Sequence, residues 1–148
     1  MSMRACAKTW TGQLQMADGR LPNFKALKKE LVAVGMGCTL RGVEASLVGE
    51  LFTRDSVPHL RVEATGEVMR LAPLTYKVQW DVAGKREAPI TEDERGAHAR
   101  LQASWRNSAK GNSVEVVGPV GALRGTGDGA YRVLQVRQFR ELRSKATK

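Results

Sequence analysis

The sequence has few of the residues from which small catalytic and metal sites are built. It contains two cysteines and two histidines in 148 residues. Neither Cys6 nor Cys38 has a further cysteine or histidine at zinc-ligand spacing, which argues against a structural zinc site or a disulfide framework. The two cysteines either pair with each other or stay free. His59 and His98 have no nucleophile at a meaningful spacing, so we expect no enzyme.

Long apolar segments are also missing. No apolar run approaches the ~18 residues that a membrane helix needs. The first residues lack the apolar region of a signal peptide. We therefore expect no membrane span and no signal peptide, and we favour an intracellular location. Because the sequence shows no catalytic or metal-binding pattern, we also expect no cofactor.

Aromatic residues make up only 5% of the chain. Proteins that bind single-stranded nucleic acid without sequence preference stack bases on aromatic rings, so this shortage argues against such binding. Four aromatic residues are candidates for exposed stacking positions: Trp10, Tyr76, Trp80 and Tyr131. Phe24 and Trp105 fit apolar stripes of helices better.

Positive charge is what the chain has in excess. Lysine and arginine number 24 against 15 acidic residues, which gives a net charge of +9. Such an excess is typical of proteins with a polyanionic partner, and equally of basic subunits in large assemblies.

The first 42 residues predict a strand and a helix that precede the main domain. Residues 8–16 alternate loosely and end at a turn signal over residues 17–19. A helix is expected after Pro22, with an apolar stripe at helical spacing, and it ends at Gly35. The stripe consists of Phe24, Leu27, Leu31 and Val34.

The rest of the chain predicts mainly strands with one further helix. Alternation predicts strands over residues 43–52, 60–64, 68–72, 113–117 and 131–136, and a further strand or extension over 76–82. Thr91 and Glu94 form a capping box at the start of a helix that carries Ala97, Leu101 and Trp105 on one stripe. From Arg137 the chain is expected to fray, with residues 140–148 as a basic tail. We expect one structural domain overall.

Over residues 43–139 this order resembles the five-stranded OB-fold barrel, which has its helix between the third and fourth strands. The segments that carry the likeness are Val114–Val120 and Tyr131–Phe139, which resemble the last two strands of that barrel. The expected fold class is thus mainly β with two helices (α+β), an OB-like barrel preceded by a strand and helix over residues 1–42.

A second segment resembles a different fold. Val34–Leu47 contains Gly-Met-Gly-Cys and looks like the metal loop of a heavy-metal-associated domain, which has a ferredoxin-like β-α-β-β-α-β fold. Arg41 stands where that family has its second cysteine, so Cys38 alone makes a poor site for a soft metal. This alternative predicts a helix over residues 39–52.

The OB resemblance implies where a ligand binds. OB barrels bind on the face of strands two and three, flanked by two loops. The corresponding loops are residues 53–59, with Arg54 and His59, and residues 118–130, with Arg124. Three more basic residues lie on or beside the outer face of the hairpin: Arg61, Arg70 and Lys77. An alternative is that Arg61 and Arg70 pair with Glu63 and Glu67.

The leading hypothesis is a non-catalytic basic module that contacts RNA or DNA through phosphates. The second is a subunit of a larger protein complex, docked through the first strand and helix and the basic tail. The weakest is a degenerate heavy-metal-associated domain around Cys38.

Overall fold

A computed structural model describes residues 2–6, 11–15, 21, 25, 26, 29, 42–107 and 113–142. The chain is mainly β. The strands are β1 Ser2–Cys6, β2 Thr11–Gln15, β3 Glu44–Arg54, β4 Val57–Val62, β5 Val68–Pro73, β6 Trp80–Asp81, β7 Arg86–Glu87, β8 Ser113–Pro119, β9 Arg132–Val136 and β10 Gln138–Leu142. Helix α1 is Glu92–Asn107, and a short 3₁₀ turn covers Gly127–Gly129. None of the described helices has the length and apolar character to cross a membrane.

The main sheet has six strands in the order β10-β8-β3-β4-β5-β9. All neighbouring pairs are antiparallel except β5 and β9, which run parallel. The strands at the two edges, β9 and β10, are consecutive in the chain and meet at Arg137. The sheet therefore curls back on itself.

Backbone contacts link the edge strand β9 to β8, the strand next to the opposite edge strand β10. Val120 and Leu134 form a bridge, and the amides of Gly121 and Arg137 donate to Val133 and Val117 at 2.9 Å. At Gly118 the strands approach so closely that a Cβ atom would lie 1.6 Å from the Gln135 carbonyl oxygen. We call the contacts of residues 117–121 with 133–137 the seam.

One apolar cluster fills the inside of the curled sheet. Alternation along the strands turns residues such as Leu60, Val116 and Leu134 inward, and all three have no exposed surface. Helix α1 adds Ala97 and Leu101, two of the three residues of the expected stripe, while the third, Trp105, is half-buried. Its capping box is also confirmed: the Thr91 amide donates to Glu94 Oε1 at 3.1 Å, and the Glu94 amide to Thr91 Oγ1 at 3.2 Å.

Four ionic side chains fasten this helix to the sheet. Glu94 accepts from Lys77 Nζ at 2.9 Å and from Arg137 at 3.2 Å, and Arg137 also binds Glu44 at 2.5 Å. We call Glu44, Lys77, Glu94 and Arg137 the ionic cluster. It ties the start of α1 to the start of β3 and to the junction of β9 and β10.

The structure corrects several expectations about the main sheet. It has six strands instead of five, because residues 138–142 pair with β8 and do not fray. Residues 76–82 contribute only Trp80–Asp81 to a strand, since the chain leaves the sheet after Pro73, which has no N–H for a ladder. Residues 44–54 form a strand, where the ferredoxin-like alternative requires a helix up to residue 52.

The N-terminal extension is described only in part. It contains two paired strands where the sequence predicts one, with Ser2 opposite Gln15. Residues 25, 26 and 29 are helical, within the expected helix. Cys38 and the rest of the expected helix lie outside the described residues, as do residues 143–148.

Candidate nucleic-acid interface

The outer side of β3, β4 and β5 carries most of the residues singled out in the sequence. Because side chains alternate along a strand, the inward position of Leu60 turns His59 and Arg61 outward. The register places Phe52 of β3 and Arg70 of β5 on either side of His59. These side chains therefore share one surface of the sheet.

Phe52 is at the centre of this surface. Its ring stacks on the His59 ring, with 5.4 Å between centroids and an angle of 30° between the planes. The guanidinium carbons of Arg61 and Arg54 lie 5.0 and 5.7 Å from the centroid of Phe52. Both distances are in the range of cation–π attraction, which holds two like charges against one ring.

His59 is buried beneath these neighbours, with 5% of its surface exposed. Its Nδ1 atom lies 2.8 Å from the Val57 carbonyl oxygen. A carbonyl oxygen only accepts hydrogen bonds, so Nδ1 carries the proton and donates.

The same surface continues onto β9. Val133 pairs with Arg70, and Tyr131 lies two residues earlier, so both point to the outer side. Tyr131 and Arg124 form a bridge with two backbone hydrogen bonds of 2.7 and 2.9 Å, which places Arg124 on that side as well. We call the complete set the arginine face. It consists of Phe52, Arg54, His59, Arg61, Arg70, Arg124 and Tyr131.

The arginines of this face have no acidic partners in the part of the chain that the structure describes. Arg54, Arg61, Arg70 and Arg124 are all exposed, and none forms an ion pair there. The proposed pairing of Arg61 and Arg70 with Glu63 and Glu67 is therefore not seen. The register places Glu50 opposite Arg61 on the same side of the sheet without an ion pair between the two side chains, so positive charge is in excess around the Phe52 ring.

Lys77 does not belong to the arginine face. Its ammonium group donates to Glu94 at 2.9 Å and to the Pro89 carbonyl at 3.3 Å, and its side chain is only 11% exposed. The reason is that Lys77 follows the end of β5 and turns toward the start of α1. Its role in the structure is to hold the helix.

The loop expected over residues 53–59 is much shorter. Only Asp55 and Ser56 lie between β3 and β4, and both have positive φ, 52° and 63°. Two such residues make the tight hairpin turn that matches strand twist. Arg54 and His59 thus lie on strands, which fixes their positions better than a loop would.

Phe52 was missed as a candidate, although a signal was present. Side chains alternate along β3, and Phe52 lies on the same side of the strand as the polar residues Glu44, Ser46 and Glu50. An aromatic residue on that side points away from the core. Tyr131, by contrast, was one of the expected stacking residues and lies on the arginine face.

The other kinds of site expected from the sequence involve residues that lie largely outside the described part of the chain. Among the described residues no group of three His, Cys, Asp or Glu side chains could hold a metal ion. The docking residues expected for an assembly subunit fall mainly in the first helix, in side chains of the first strands and in residues 143–148, which lie outside the described part. That hypothesis stays a prediction.

Comparison with protein-family models, with curated proteins and with solved structures gives no match for this chain.

Proposed function

We propose that the chain binds single-stranded nucleic acid on the arginine face. The observation that carries this proposal is the placement of Arg54 and Arg61 against the Phe52 ring, with no ion pair to either arginine among the described residues. Guanidinium groups bind phosphates through several donors, and aromatic rings and guanidinium planes both stack on bases. A surface that combines the two fits a strand whose bases are unpaired.

The extent of the face fits an extended ligand. Its residues span β3, β4, β5, β9 and the start of the loop before β9. Neighbouring strands are about 4.8 Å apart, so the face measures roughly 15–20 Å across. A strand lying across it reaches Phe52 near one end and Tyr131 near the other, with arginines between the two rings.

An OB-like barrel is the fold that we propose for residues 43–139. The strands β3, β4, β5, β8 and β9 with β10 correspond to its five, and α1 lies between the third and the fourth. Support comes from the order of the main sheet, from the parallel pairing of the third and fifth strands and from the seam. In such barrels the face of the second and third strands is a common site for oligonucleotides.

The test is binding of labelled oligonucleotides of about ten nucleotides, measured by fluorescence anisotropy at salt concentrations from about 50 to 200 mM. We expect the logarithm of the affinity to fall linearly with the logarithm of salt concentration, by about 0.7 per phosphate contacted. Phe52→Ala should weaken binding about 5- to 150-fold, the cost of one lost stacking contact of ~1–3 kcal/mol. Phe52→Trp should restore it.

Charge variants separate the arginine face from the general positive charge. Arg61→Ala and Arg70→Ala should weaken binding and lower the salt dependence, whereas Arg95→Ala should change neither by more than about 1.5-fold. Arg95 is an exposed residue of α1, so its substitution removes the same charge outside the arginine face. Equal effects of all three substitutions, or no salt-sensitive binding at low ionic strength, would overturn the proposal. Preference for a duplex of the same sequence would also contradict it.

A further inference from the structure

One carboxylate lies among the residues of the arginine face. Glu50 of β3 is exposed and precedes Phe52 by two residues, so both side chains point to the same side of the strand. The register places Glu50 directly opposite Arg61 of β4 and opposite Ser113 of β8. A negative charge at this position opposes the binding of phosphates, so phosphate contacts do not account for it.

Glu50 and Arg61 form no ion pair, although they are direct neighbours across the two strands. The Cβ atoms of such neighbours are about 5 Å apart, and opposite charges there attract each other. Arg61 instead turns its guanidinium to the Phe52 ring, 5.0 Å from the centroid. None of the residues that the structure describes forms an ion pair or a side-chain hydrogen bond with Glu50. The carboxylate thus keeps its capacity to accept hydrogen bonds from a ligand.

The part of a nucleic acid that suits this carboxylate is the edge of a base. Phosphates only accept hydrogen bonds, and their charge is repelled by Glu50. Residues two apart in a strand are separated by about 6.7 Å, which is on the order of the width of a base. A base that stacks on Phe52 therefore brings its edge to the Glu50 carboxylate.

Of the common bases, guanine fits a carboxylate best. In a single strand its Watson–Crick edge is exposed, and its N1–H and N2–H₂ groups are neighbouring donors that bind both oxygens of one carboxylate. Adenine and cytosine offer one amino group beside an acceptor. Thymine and uracil offer one N–H between two carbonyl oxygens, which a carboxylate repels.

We infer that Glu50 determines specificity at the arginine face by selecting guanine as the base that stacks on Phe52. This inference rests on the proposed function and names the base that the site prefers. Glu50 weakens the general attraction for phosphates and in return distinguishes one base from the others.

The test compares three labelled oligodeoxythymidylates of about ten nucleotides by fluorescence anisotropy. One keeps all its thymines, one has a single central guanine, and one has hypoxanthine there, which lacks the N2 amino group of guanine. DNA is used because it has no 2′-hydroxyl groups that could donate to Glu50. For the wild type we expect the guanine probe to bind about 5- to 150-fold more tightly than the thymine probe, the discrimination of one bidentate contact. The hypoxanthine probe should lie between the two.

Two substitutions identify the group that reads the base. Glu50→Gln leaves one acceptor oxygen and Glu50→Ala leaves none, so both should lose most of the preference for guanine. Both should also bind the thymine probe more tightly than the wild type at low salt, because a repelling charge is removed. Glu92→Gln is the matched control, since it removes the same charge from an exposed position on α1 and should keep the preference. Circular dichroism checks that the variants fold.

The outcomes separate the two proposals. Salt-sensitive binding with equal affinity for the three probes overturns the role of Glu50 and leaves the arginine face intact. A preference for guanine that persists in both Glu50 variants overturns it as well, because another group then reads the base. Equal binding of the guanine and hypoxanthine probes by the wild type excludes the bidentate contact without any variant. Absence of salt-sensitive binding for every probe instead overturns the proposed function.

Discussion

At the scale of single residues, two glycines allow close backbone contacts that no other residue permits. A Cβ atom at Gly49 would lie 2.0 Å from the Arg61 carbonyl oxygen, and one at Gly118 would lie 1.6 Å from the Gln135 carbonyl oxygen. Neither glycine serves a turn. Both allow a strand to pass very close to its neighbour as the sheet curls.

We therefore expect Gly118→Ala to destabilise the protein by about 2–4 kcal/mol, because β8 and β9 must separate at the seam. Gly129→Ala is the matched control, since nothing lies within 4 Å of a Cβ atom there. It should change stability by less than about 0.5 kcal/mol. Denaturant midpoints measure both, and similar midpoints for the two variants would show that the seam does not depend on Gly118.

At the scale of elements, the start of α1 depends on the charge of Glu94. Burial alone raises the pKa of this carboxyl, but hydrogen bonds from Lys77, Thr91 and Arg137 outweigh it and lower the pKa to about 2. The hydrogen bonds that Arg137 donates to Glu44 in turn raise the pKa of Arg137, although its burial acts against this. The capping box and the ionic cluster thus share one carboxylate.

This arrangement predicts a loss of stability in acid. The folded-state pKa of Glu94 lies below its ordinary value of 4.5, so its contribution is complete above about pH 5 and disappears as pH falls toward 2. As pH falls, the carboxyl takes up its proton at a higher pH in the unfolded chain than in the folded protein, so acid lowers the free energy of unfolding. The loss is on the order of 3 kcal/mol. Glu94→Gln should be less stable at pH 7 and show a flatter pH profile.

Glu92→Gln is the control for this prediction. Glu92 lies in the same first turn of α1 but is exposed. Its variant should keep the pH profile of the wild type in urea unfolding at several pH values. If Glu94→Gln kept that profile too, the acid sensitivity would have to come from another carboxyl.

The elements also show how far sequence reasoning reaches. Alternation and the capping box predicted the five main strands and α1, because each depends on residues close in sequence. The strand Gln138–Leu142 was missed, since its pattern is dominated by charge and its pairing partner Ser113–Val117 is distant. Lys77 was misplaced for a similar reason: its partner Glu94 is brought near only by the path of the chain.

At the scale of the whole molecule, the central question is whether the sheet is closed. Its edge strands β9 and β10 are continuous, and the seam supplies backbone hydrogen bonds from Gly121 and Arg137. The Arg137 amide lies where the ionic cluster also holds the chain. A closed barrel removes the free edges that an open sheet exposes, and it keeps the two ends of the arginine face at a fixed separation.

Hydrogen exchange tests this closure. If the seam is as stable as the rest of the sheet, the amides of Gly121 and Arg137 open only with global unfolding, as the amide of Leu60 in the middle of the sheet does. We expect their opening free energies to agree within about 1 kcal/mol when exchange is followed by NMR. In Gly118→Ala the two seam amides should exchange faster than that of Leu60. If the amides of Gly121 and Arg137 in the wild type exchange as fast as those of a frayed edge strand, the sheet is an open half-barrel. Phe52 and Tyr131 then move independently, and a single ligand strand no longer meets both rings at a fixed spacing.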